Sequence, residues 1–399
     1  MKVWIVNPFD NLPLEGYRPQ RYWLMARGFV AAGHRVVYWT SDFSHATKKR
    51  RVLVRGNAEP GIELRMVHTM AYPSNICLRR VVSHWQLART WRCLAEKEAE
   101  KPDVVIASTP PLGLCAAALD FAKCHNALFV ADIMDAWPET FERIVPKWML
   151  GTMRSKAKRI YCNADAISAV ASRYIDLAKS YGATAPVKLS YHGIEVGDEE
   201  CCQCGNVANT NVANSQLGDE GWGMRSLRLA YIGSFGASYD LETVIEAVKR
   251  MPNVTLDIAG SGFKEAALRE MATGCGRIRF HGYLADTEMK ALLRSCDVGL
   301  VPMFPDSCVG VPYKLADYAA AGLRIVECLG GETESLVGCF HAGAHYEPRN
   351  VASLIAALGQ PPAADWDAAG FVRQFDAKRI MVEYVSWVES RYRDLRPNN

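Results

Sequence analysis

VGLVPMFPDSCVGVPYKLADYAAAGLRIV, residues 298–326, has the pattern of a buried strand, a polar loop, a helix and a second strand. The apolar run that ends at Pro302 predicts the first strand. Pro312 suits the first position of a helix, and Gly322 stands where that helix would end. A helix is therefore expected to begin at about Val311, within an α/β fold built on parallel strands.

The loop between this strand and this helix is a predicted ligand site. Its polar and small residues are Asp306, Ser307 and Gly310. The first backbone N–H groups of the helix, near Val311, would face the loop and favour a phosphate. Lys314 would add a positive charge, and Asp317, three residues further on the same face, could accept hydrogen bonds from sugar hydroxyls. An exposed Lys314–Asp317 pair beside an ordinary crossover loop explains the same residues equally well.

Length and composition predict a two-domain globular protein. The chain has 399 residues, more than one hydrophobic core usually supports. Hydrophobic residues make up 49% of it and charged residues 22%, which is typical of globular rather than disordered chains. The 46 basic and 43 acidic residues leave a formal net charge of +3, too balanced to favour a nucleic-acid partner.

Cysteine usage and hydropathy indicate a cytoplasmic protein. The 13 cysteines are odd in number and scattered, which favours a reducing compartment. The one cluster is Cys201, Cys202 and Cys204, and no second Cys or His pair lies nearby at a metal-site spacing, so no metal is expected. The opening segment lacks a signal-peptide core, and no run approaches ~18 apolar residues. A protein that is neither secreted nor membrane-spanning is therefore expected.

The N-terminal region reads as a strand, a helix and a second strand. The strand is Lys2–Val6, and the helix opens at Pro19 and closes at Gly33. The intervening loop lacks GxGxxG spacing, which argues against a dinucleotide cofactor. The loop and the start of the helix carry groups suited to an anionic or hydroxyl-rich ligand, although an ordinary solvated loop would also contain them. These acceptor-site candidates are Glu15, Gly16, Arg18 and Arg21.

Three acidic residues follow the predicted strand Ala127–Asp132. Asp132, Asp135 and Glu139 would gather at the carboxyl edge of a parallel sheet, where ligands of such sheets bind. They are candidates for holding an acceptor or for acting as a base. A helix cap or a loop ion pair explains them equally well.

Two basic amphipathic segments predict contact with an anionic membrane surface. The first, Arg79–Arg92, lies in a predicted helix whose apolar face would carry Val81, Trp85, Ala88 and Trp91. The second, Arg143–Arg159, combines basic residues with Trp148, Met149 and Leu150. These segments would place the protein peripherally on the inner face of the cell membrane. The alternative is that the apolar side chains pack in the core.

A loss of periodicity divides the chain. Residues 196–226 are rich in Gly, Asn and small polar groups and are predicted to be a linker. Residues 1–195 form the predicted first Rossmann-like domain, and residues 227–375 the second. Residues 376–399 form an amphipathic helix expected to return to the first domain.

In the second domain, the loop GSFGASYD follows the first predicted strand. Its residues Gly233, Ser234 and Gly236 would let a ligand approach the backbone at the strand end. This loop is a second part of the predicted ligand site.

Two Rossmann-like halves, a linker and a returning helix are together similar to the GT-B fold. The chain resembles the retaining glycosyltransferases of family 4 (GT4), and among them the bacterial enzymes of O-antigen, capsule and exopolysaccharide assembly. The similar motifs are STPPL at Ser108–Leu112, DIMDAWPE at Asp132–Glu139, the segment Tyr231–Ala247, and PYKLADYAAAG at Pro312–Gly322. The likeness covers nearly everything except residues 196–226.

The resemblance implies a nucleotide-sugar donor site in the second domain. Gly233 and Gly236 would contact the donor diphosphate, and Lys314 its phosphates. Asp317 would hold the ribose.

The resemblance also places the base of the nucleotide near the backbone of Gly282 and Tyr283. Two features differ from the family pattern. Asp317 stands for the second acid of the E-x7-E pair, but Val309 occupies the first position and Asp306 is the nearest acid. The loop GSFGASYD holds neither the Arg nor the Lys usual there, which leaves Lys314 as the plain cationic group.

The implied protein has two doubly wound parallel-sheet domains that face a cleft. It would move a sugar, with retention, from a UDP- or GDP-linked donor to a hydroxyl of a lipid-linked or polysaccharide acceptor, without a metal or other cofactor. Lys314 would stabilise the leaving diphosphate, and Asp135 would position the acceptor. The alternatives are a nonhydrolysing sugar-nucleotide epimerase of the same fold and a noncatalytic scaffold that binds another transferase.

Overall fold

The computed structural model describes residues 1–52, 56–75, 77–142, 146–196 and 226–396. The chain forms two compact units. The first contains Met1–Gly193 together with Ala377–Asn399, and the second contains Ile194–Asp376. Cys201, Cys202, Cys204 and nearly all of the predicted linker lie outside the described residues.

The first unit is an α/β domain whose strands and helices alternate. Its strands are β1 (Lys2–Val6), β2 (Arg35–Ser41), β3 (Gly56–Glu59), β4 (Ile62–Val67), β5 (Val104–Thr109), β6 (Leu128–Ile133), β7 (Ala166–Ala169) and β8 (Val187–Leu189). Its helices are α1 (Arg21–Ala31), α2 (Leu78–Lys97), α3 (Leu112–Cys124), α4 (Lys147–Asn163), α5 (Ser172–Ser180) and the C-terminal α13 (Ala377–Leu395).

In the described part of this unit the strands form one sheet in the order β3-β4-β2-β1-β5-β6-β7-β8. Every pair except β3–β4 is parallel. The central strands are buried along nearly their whole length, because helices cover both faces of a parallel sheet. The strand order reverses between β1 and β5, so the loops after these two strands diverge at the carboxyl edge.

The second unit repeats this architecture. Its strands are β9 (Leu227–Ser234), β10 (Val254–Ser261), β11 (Ile278–Gly282), β12 (Val298–Val301), β13 (Arg324–Glu327) and β14 (Gly343–His345). Its helices are α6 (Leu241–Arg250), α7 (Glu265–Met271), α8 (Asp286–Arg294), α9 (Lys314–Ala320), α10 (Gly331–Cys339), α11 (Val351–Gly359) and α12 (Ala368–Arg373). The described strands form a parallel sheet in the order β11-β10-β9-β12-β13-β14.

The strand order of the second sheet reverses between β9 and β12, and Tyr318 fills this point. The two strands pair only at their starts, Val298 with Leu229 and Gly299 with Ala230. Further along, the Tyr318 hydroxyl accepts a hydrogen bond from Ile232 N at 3.0 Å and donates one to the carbonyl of Leu300 at 3.1 Å. One side chain thus satisfies backbone groups that the diverging strands leave open.

The C-terminal helix packs on the first unit, as expected. Ile380, Met381, Tyr384, Val385 and Val388 of α13 are buried in the core that α1 also lines. The spacing of these residues is that of one helix face. Val382 of the same helix is 63% exposed.

Three expectations about helices are corrected. The helix in the quoted segment begins at Lys314, not at Val311, because residues 311–313 form a bend and a turn before it. The buried face of α2 carries Ser83, Leu87, Trp91 and Ala95, whereas Val81 and Trp85 are exposed. On α4, Trp148 is exposed but Leu150 is buried in the domain, so Leu150 is not a membrane contact. None of the described helices is both long and apolar enough to cross a membrane.

The Tyr318 ring can lie against β12 because Gly299 has no side chain. A Cβ atom at position 299 would lie 2.5 Å from the Cγ of Tyr318, closer than side chains approach. Gly299→Ala is therefore expected to lower the free energy of unfolding by about 1–3 kcal/mol through overpacking, measured by urea denaturation. The control is Gly276→Ala, where an added Cβ meets nothing within 4 Å. Equal effects at both positions would contradict this account of Tyr318.

Candidate nucleotide-sugar site

Three neighbouring strands of the second sheet end together and bring the predicted glycine loops to one edge. Gly233 pairs with Gly260 and Ser234 with Ser261 across β9 and β10. Ala259 pairs with Gly282 across β10 and β11. Gly233 and Ser234 of β9 therefore lie at the same carboxyl edge of the sheet as Gly282, with β10 between them, and a ligand was predicted at this edge.

The loops at this edge pack backbone against backbone. A Cβ atom at Gly260 would lie 1.8 Å from the carbonyl oxygen of Gly233, and one at Gly262 would lie 2.5 Å from that of Phe235. Gly233 has φ +139° and Gly260 φ +135°, conformations that favour glycine. The role of Gly260 and Gly262 was not predicted, although the GSG that follows a strand is a visible signal in the sequence.

Lys314 reaches this edge from the start of α9. Its ammonium group lies 4.0 Å from the ring centroid of Tyr231 and 4.5 Å from that of Tyr239. A Cβ atom at Gly233 would lie 3.0 Å from the Lys314 Nζ, so the charge is directly beneath the β9 loop. The residue is 8% exposed, and the Nζ has no hydrogen-bond partner among the described residues.

The burial of Lys314 makes its charge costly. Desolvation lowers the pKa of the amine to about 7, and the nearby carboxylate of Asp317 opposes this shift. The two tyrosine rings attract the cation but offer it no hydrogen-bond acceptor. A buried ammonium that donates no hydrogen bond destabilises the folded protein, and an anion at the β9 loop would supply the missing acceptor.

The other predicted donor residues are placed as follows. Asp317 is buried on α9, one turn after Lys314. Asp306 and Ser307 lie in a 3-10 turn after β12, and Asp306 is exposed. Gly310 and Val311 are buried, and Gly310 accepts a 2.8 Å hydrogen bond from Thr333 of α10. Gly236 lies in the turn after β9, and Tyr283 follows β11 with 75% of its surface exposed.

In the first unit, Arg21 and Asp132 form a buried ion pair. Arg21 Nε donates to Asp132 Oδ2 at 2.9 Å and Nη2 donates to Oδ1 at 2.8 Å. Tyr22 and Ser168 also donate to this carboxylate through their hydroxyls. Arg21 is 1% exposed and Asp132 0%, so both side chains are occupied within the domain and their contacts favour a structural role over acceptor binding.

Asp135 organises the turn that follows β6. It accepts hydrogen bonds from Ala136 N at 2.8 Å, Thr140 Oγ1 at 3.0 Å and Trp137 Nε1 at 3.2 Å. Burial raises the pKa of its carboxyl group, which these hydrogen bonds and Arg80 oppose. Asp135 does not cap a helix, because the helical turn at Glu139–Phe141 has Pro138 at its N-cap, and its carboxylate also lies near the cation of Arg80.

The two remaining acidic candidates each contact a side chain of the first unit. Glu15 pairs with the buried Arg51, and Glu139 accepts a hydrogen bond from the hydroxyl of Tyr181. Gly16 caps a short 3-10 turn with φ +83°, and Arg18 is half-buried on the same loop.

Asp10 was not predicted as a candidate. It is 8% exposed and accepts a 3.1 Å hydrogen bond from Tyr22 N, and desolvation raises its pKa to about 7. Arg51 Nη2 donates to its carbonyl oxygen at 2.7 Å. In the sequence Asp10 is only a single acidic residue in a loop, because its partner Arg51 belongs to a different loop, 41 residues away.

Among the described residues, three side chains lie close enough together to bind a cation. Glu327, Glu334 and His345 each place a ligand atom within 4.8 Å of the others. Hydrogen bonds account for part of this cluster, because Glu327 accepts from Gly330 N at 2.8 Å and bonds His345 Nδ1 at 2.6 Å.

Two models of protein families match the chain, one over most of each unit. A family model described as "Glycosyltransferase Family 4" matches residues 21–197, and one described as "Glycosyl transferases group 1" matches residues 226–360. These matches cover most of both units, and the chain belongs to the family 4 glycosyltransferases. The resemblance inferred from the four motifs is confirmed.

Curated relatives match a smaller part of the chain. Glycogen synthase of Mycobacterium tuberculosis, in two strains, is 32% identical over 150 residues, which is 34% of this chain and 35% of the relative. The match therefore spans about a third of the length of these relatives.

Solved structures match over nearly the whole chain. HepE of Anabaena in complex with UDP-glucose is 15% identical, with a TM-score of 0.65, and 98% of this chain and 100% of that chain are covered. Sucrose-phosphate synthase of Thermosynechococcus elongatus is 13% identical, with a TM-score of 0.70 and 98% coverage of both chains. These likenesses show the GT-B fold, which confirms the predicted fold class.

The free-energy cost of burying the Lys314 charge can be measured as a change in the free energy of unfolding. Lys314→Met removes the charge and keeps an unbranched chain, so it is expected to raise the free energy of unfolding at pH 6.5 by roughly 1–3 kcal/mol. Because the folded pKa of about 7 lies below the ordinary value of 10.5, the gain is complete below pH 7 and is lost as the pH rises towards 10.5.

The matched control is Lys290→Met, on α8, where the lysine is exposed and pairs with Asp286 at 3.3 Å. This control should change stability by less than about 0.5 kcal/mol. A Lys314→Met protein that is less stable than the wild type would show that the lysine is there for packing.

Proposed function

We propose that the protein transfers a sugar, with retention of configuration, from a nucleotide diphosphate donor to a hydroxyl of a lipid-linked or polysaccharide acceptor in cell-surface glycan synthesis. The observation that carries this proposal is the buried ammonium of Lys314 beneath the Gly233 loop. It supplies at the β9 loop the cation that the sequence GSFGASYD lacks. Family membership supplies the class of reaction.

The donor diphosphate would lie at the β9 loop. Gly233 and Gly236 allow close approach of the phosphates to the backbone, and Lys314 contacts them from below. Negative charge grows on the diphosphate as the glycosidic bond breaks, and a cation already in place stabilises that charge without reorganisation. Lys314 can take this role without a metal ion.

The nucleoside would extend across the neighbouring strand ends. The backbone at Gly282 and the exposed ring of Tyr283 lie at the end of β11, two strands from β9, and suit the base. Asp317 would hold the ribose from α9. UDP is the leading nucleotide, because HepE of Anabaena has been solved with UDP-glucose, and GDP is the next candidate.

The acceptor would bind the first unit near Asp135. In the retaining reaction the acceptor hydroxyl attacks the same face from which the diphosphate leaves, and a donor phosphate oxygen takes its proton. No protein nucleophile is then needed, and Asp135 orients the acceptor. The protein would work in the cytoplasm, peripherally at the membrane.

The experiment is a panel of UDP-, GDP-, ADP- and TDP-linked sugars with EDTA present. At least one donor should raise the melting temperature, because a ligand at 100 times its Kd stabilises the folded state by about 2.7 kcal/mol. Release of the nucleotide from that donor should require an acceptor lipid or glycan. Lys314→Met should be folded yet lose turnover by on the order of 10²-fold or more, as for the loss of one preorganised electrostatic contact.

The control for the panel is Lys290→Met, which should keep wild-type turnover. Interconversion of the donor sugar without an acceptor would replace the transferase with an epimerase. No binding of any donor would leave the protein as a scaffold and would contradict the proposal.

A further inference from the structure

An apolar groove lies between α2 and α4 of the first unit. Its volume is about 790 Å³, within the ~300–1,000 Å³ range of small-molecule sites. Its walls include Val81, Trp85, Leu112, Phe141, Trp148 and Met153. Trp85 is 63% exposed and Trp148 72% exposed, so two large apolar side chains stand open to solvent at one groove.

The groove exists because α2 carries two apolar stripes. Leu87, Trp91 and Ala95 form the stripe that is buried against the domain. The second stripe, with Val81 and Trp85, faces the groove instead. Val81 and Trp85 were predicted to lie on a membrane-facing helix surface, and in the structure they form one wall of this groove.

One end of the groove is cationic. Asn75 and Arg80 line this end, and Lys48 lies next to it. Lys48 Nζ donates to the side-chain oxygen of Asn75 at 2.6 Å, and Arg80 Nη1 donates to the Asn75 carbonyl oxygen at 2.6 Å. The Arg80 guanidinium lies over the ring of Trp137 at 5.2 Å, and Lys48 lies over the ring of Tyr72 at 5.1 Å. The Nε of Arg80 is buried without a hydrogen-bond partner among the described residues.

The neighbouring charges at this end do not cancel. Burial and the charge of Arg80 both lower the pKa of Lys48, and burial, Lys48 and Arg80 together lower the pKa of His45 to about 3. Asp135 is the carboxylate that acts on Arg80, and no carboxylate is among the described residues that line the groove. An anion at this end would relieve the repulsion between the two cations.

Three other basic residues of the two predicted membrane segments are already paired. Arg92 pairs with Glu96, Arg154 with Glu142, and Arg159 with Asp120. Their charges contribute little to the attraction of an anionic surface. The groove with its cationic end is therefore a more specific feature than the basic surface around it.

We propose that this groove binds the hydrocarbon chain of a phosphorylated lipid, with the lipid phosphate at Lys48 and Arg80. An amphiphile with one anionic end matches an apolar groove with one cationic end, whereas a neutral helix or an uncharged lipid leaves the two positive charges without an anionic ligand. That this lipid is the carrier of the acceptor hydroxyl rests on the proposed function, and the nearness of Arg80 to Asp135 supports it.

The test uses farnesyl phosphate below its micelle concentration, with binding followed by the fluorescence of Trp85 and Trp148. Farnesyl phosphate should bind, and farnesol and inorganic phosphate should each bind at least about 10-fold more weakly. Geranyl phosphate, with five fewer carbons, should also bind at least about 10-fold more weakly, since each buried methylene is worth about fourfold in affinity.

Two substitutions on α4 test where the hydrocarbon chain of the lipid binds. Thr152 lines the groove on the exposed side of α4, and Ser155 is exposed on the same helix outside it. Thr152→Trp should weaken farnesyl phosphate binding at least about 10-fold by filling the groove, whereas Ser155→Trp should bind like the wild type. Arg80→Gln should reduce the affinity for farnesyl phosphate to that for farnesol. Circular dichroism establishes that each variant is folded.

The outcomes separate this inference from the proposed function. Equal binding by the Thr152→Trp and Ser155→Trp variants, or no binding of monomeric farnesyl phosphate, would overturn the proposal that the groove binds a phosphorylated lipid. Binding only to phosphatidylglycerol vesicles would replace a single-chain site with a bilayer surface and would also overturn it. Farnesyl phosphate binding that depends on Thr152 and Arg80 supports the groove even if no nucleotide sugar binds, in which case the proposed function alone fails.

Discussion

The hydroxyl of Tyr318 bonded to the backbone of two diverging strands is the contact on which the second unit depends. At the point where β9 and β12 separate, Ile232 N and the Leu300 carbonyl would lack partners, and a single side chain satisfies both. Gly299 leaves room for its ring. This contact fixes the rotation of α9, and Lys314, one turn earlier on the same helix face, is thereby aimed at the β9 loop.

The position of Lys314 has a thermodynamic consequence. Its charge is removed from water, lies against tyrosine rings and has no acceptor among the described residues, so the folded protein is less stable than it would be with a neutral side chain here. Buried charges of this kind are typical of functional sites, where a ligand supplies the missing partner. The first unit differs, because its buried charges, Arg21 and Asp132, satisfy each other. The strand ends of the two sheets therefore differ in how a buried charge is compensated.

Periodic patterns predicted the architecture well. The strand Lys2–Val6 has the predicted bounds, because it is an apolar pattern closed by clear end signals. The start of α9 was placed three residues early, since Pro312 suits a helix start but also suits the bend that is observed. The donor loops were predictable from glycines after strands. Whether they bind a donor stays a prediction.

Side-chain partners could not be predicted from the sequence. Arg21 and Asp132 lie 111 residues apart and were assigned to an acceptor, although they meet inside the core. The stripe of Val81 and Trp85 was correctly seen as apolar, but helical periodicity does not reveal which of two stripes is covered. The aromatic surroundings of Lys314 depend on Tyr231 and Tyr239, which belong to other segments of the chain.

The most direct measurement is the titration of the Lys314 amine by NMR of lysine labelled with ¹³C at Cε, with the signal assigned by its loss in Lys314→Met. The account predicts a pKa near 7 in the free protein. Saturation with UDP-glucose, whose diphosphate does not titrate in this range, should raise that pKa by at least about one unit. A pKa near 10.5 in the free protein, or a pKa that no nucleotide sugar changes, would contradict the claim that this buried charge awaits a diphosphate.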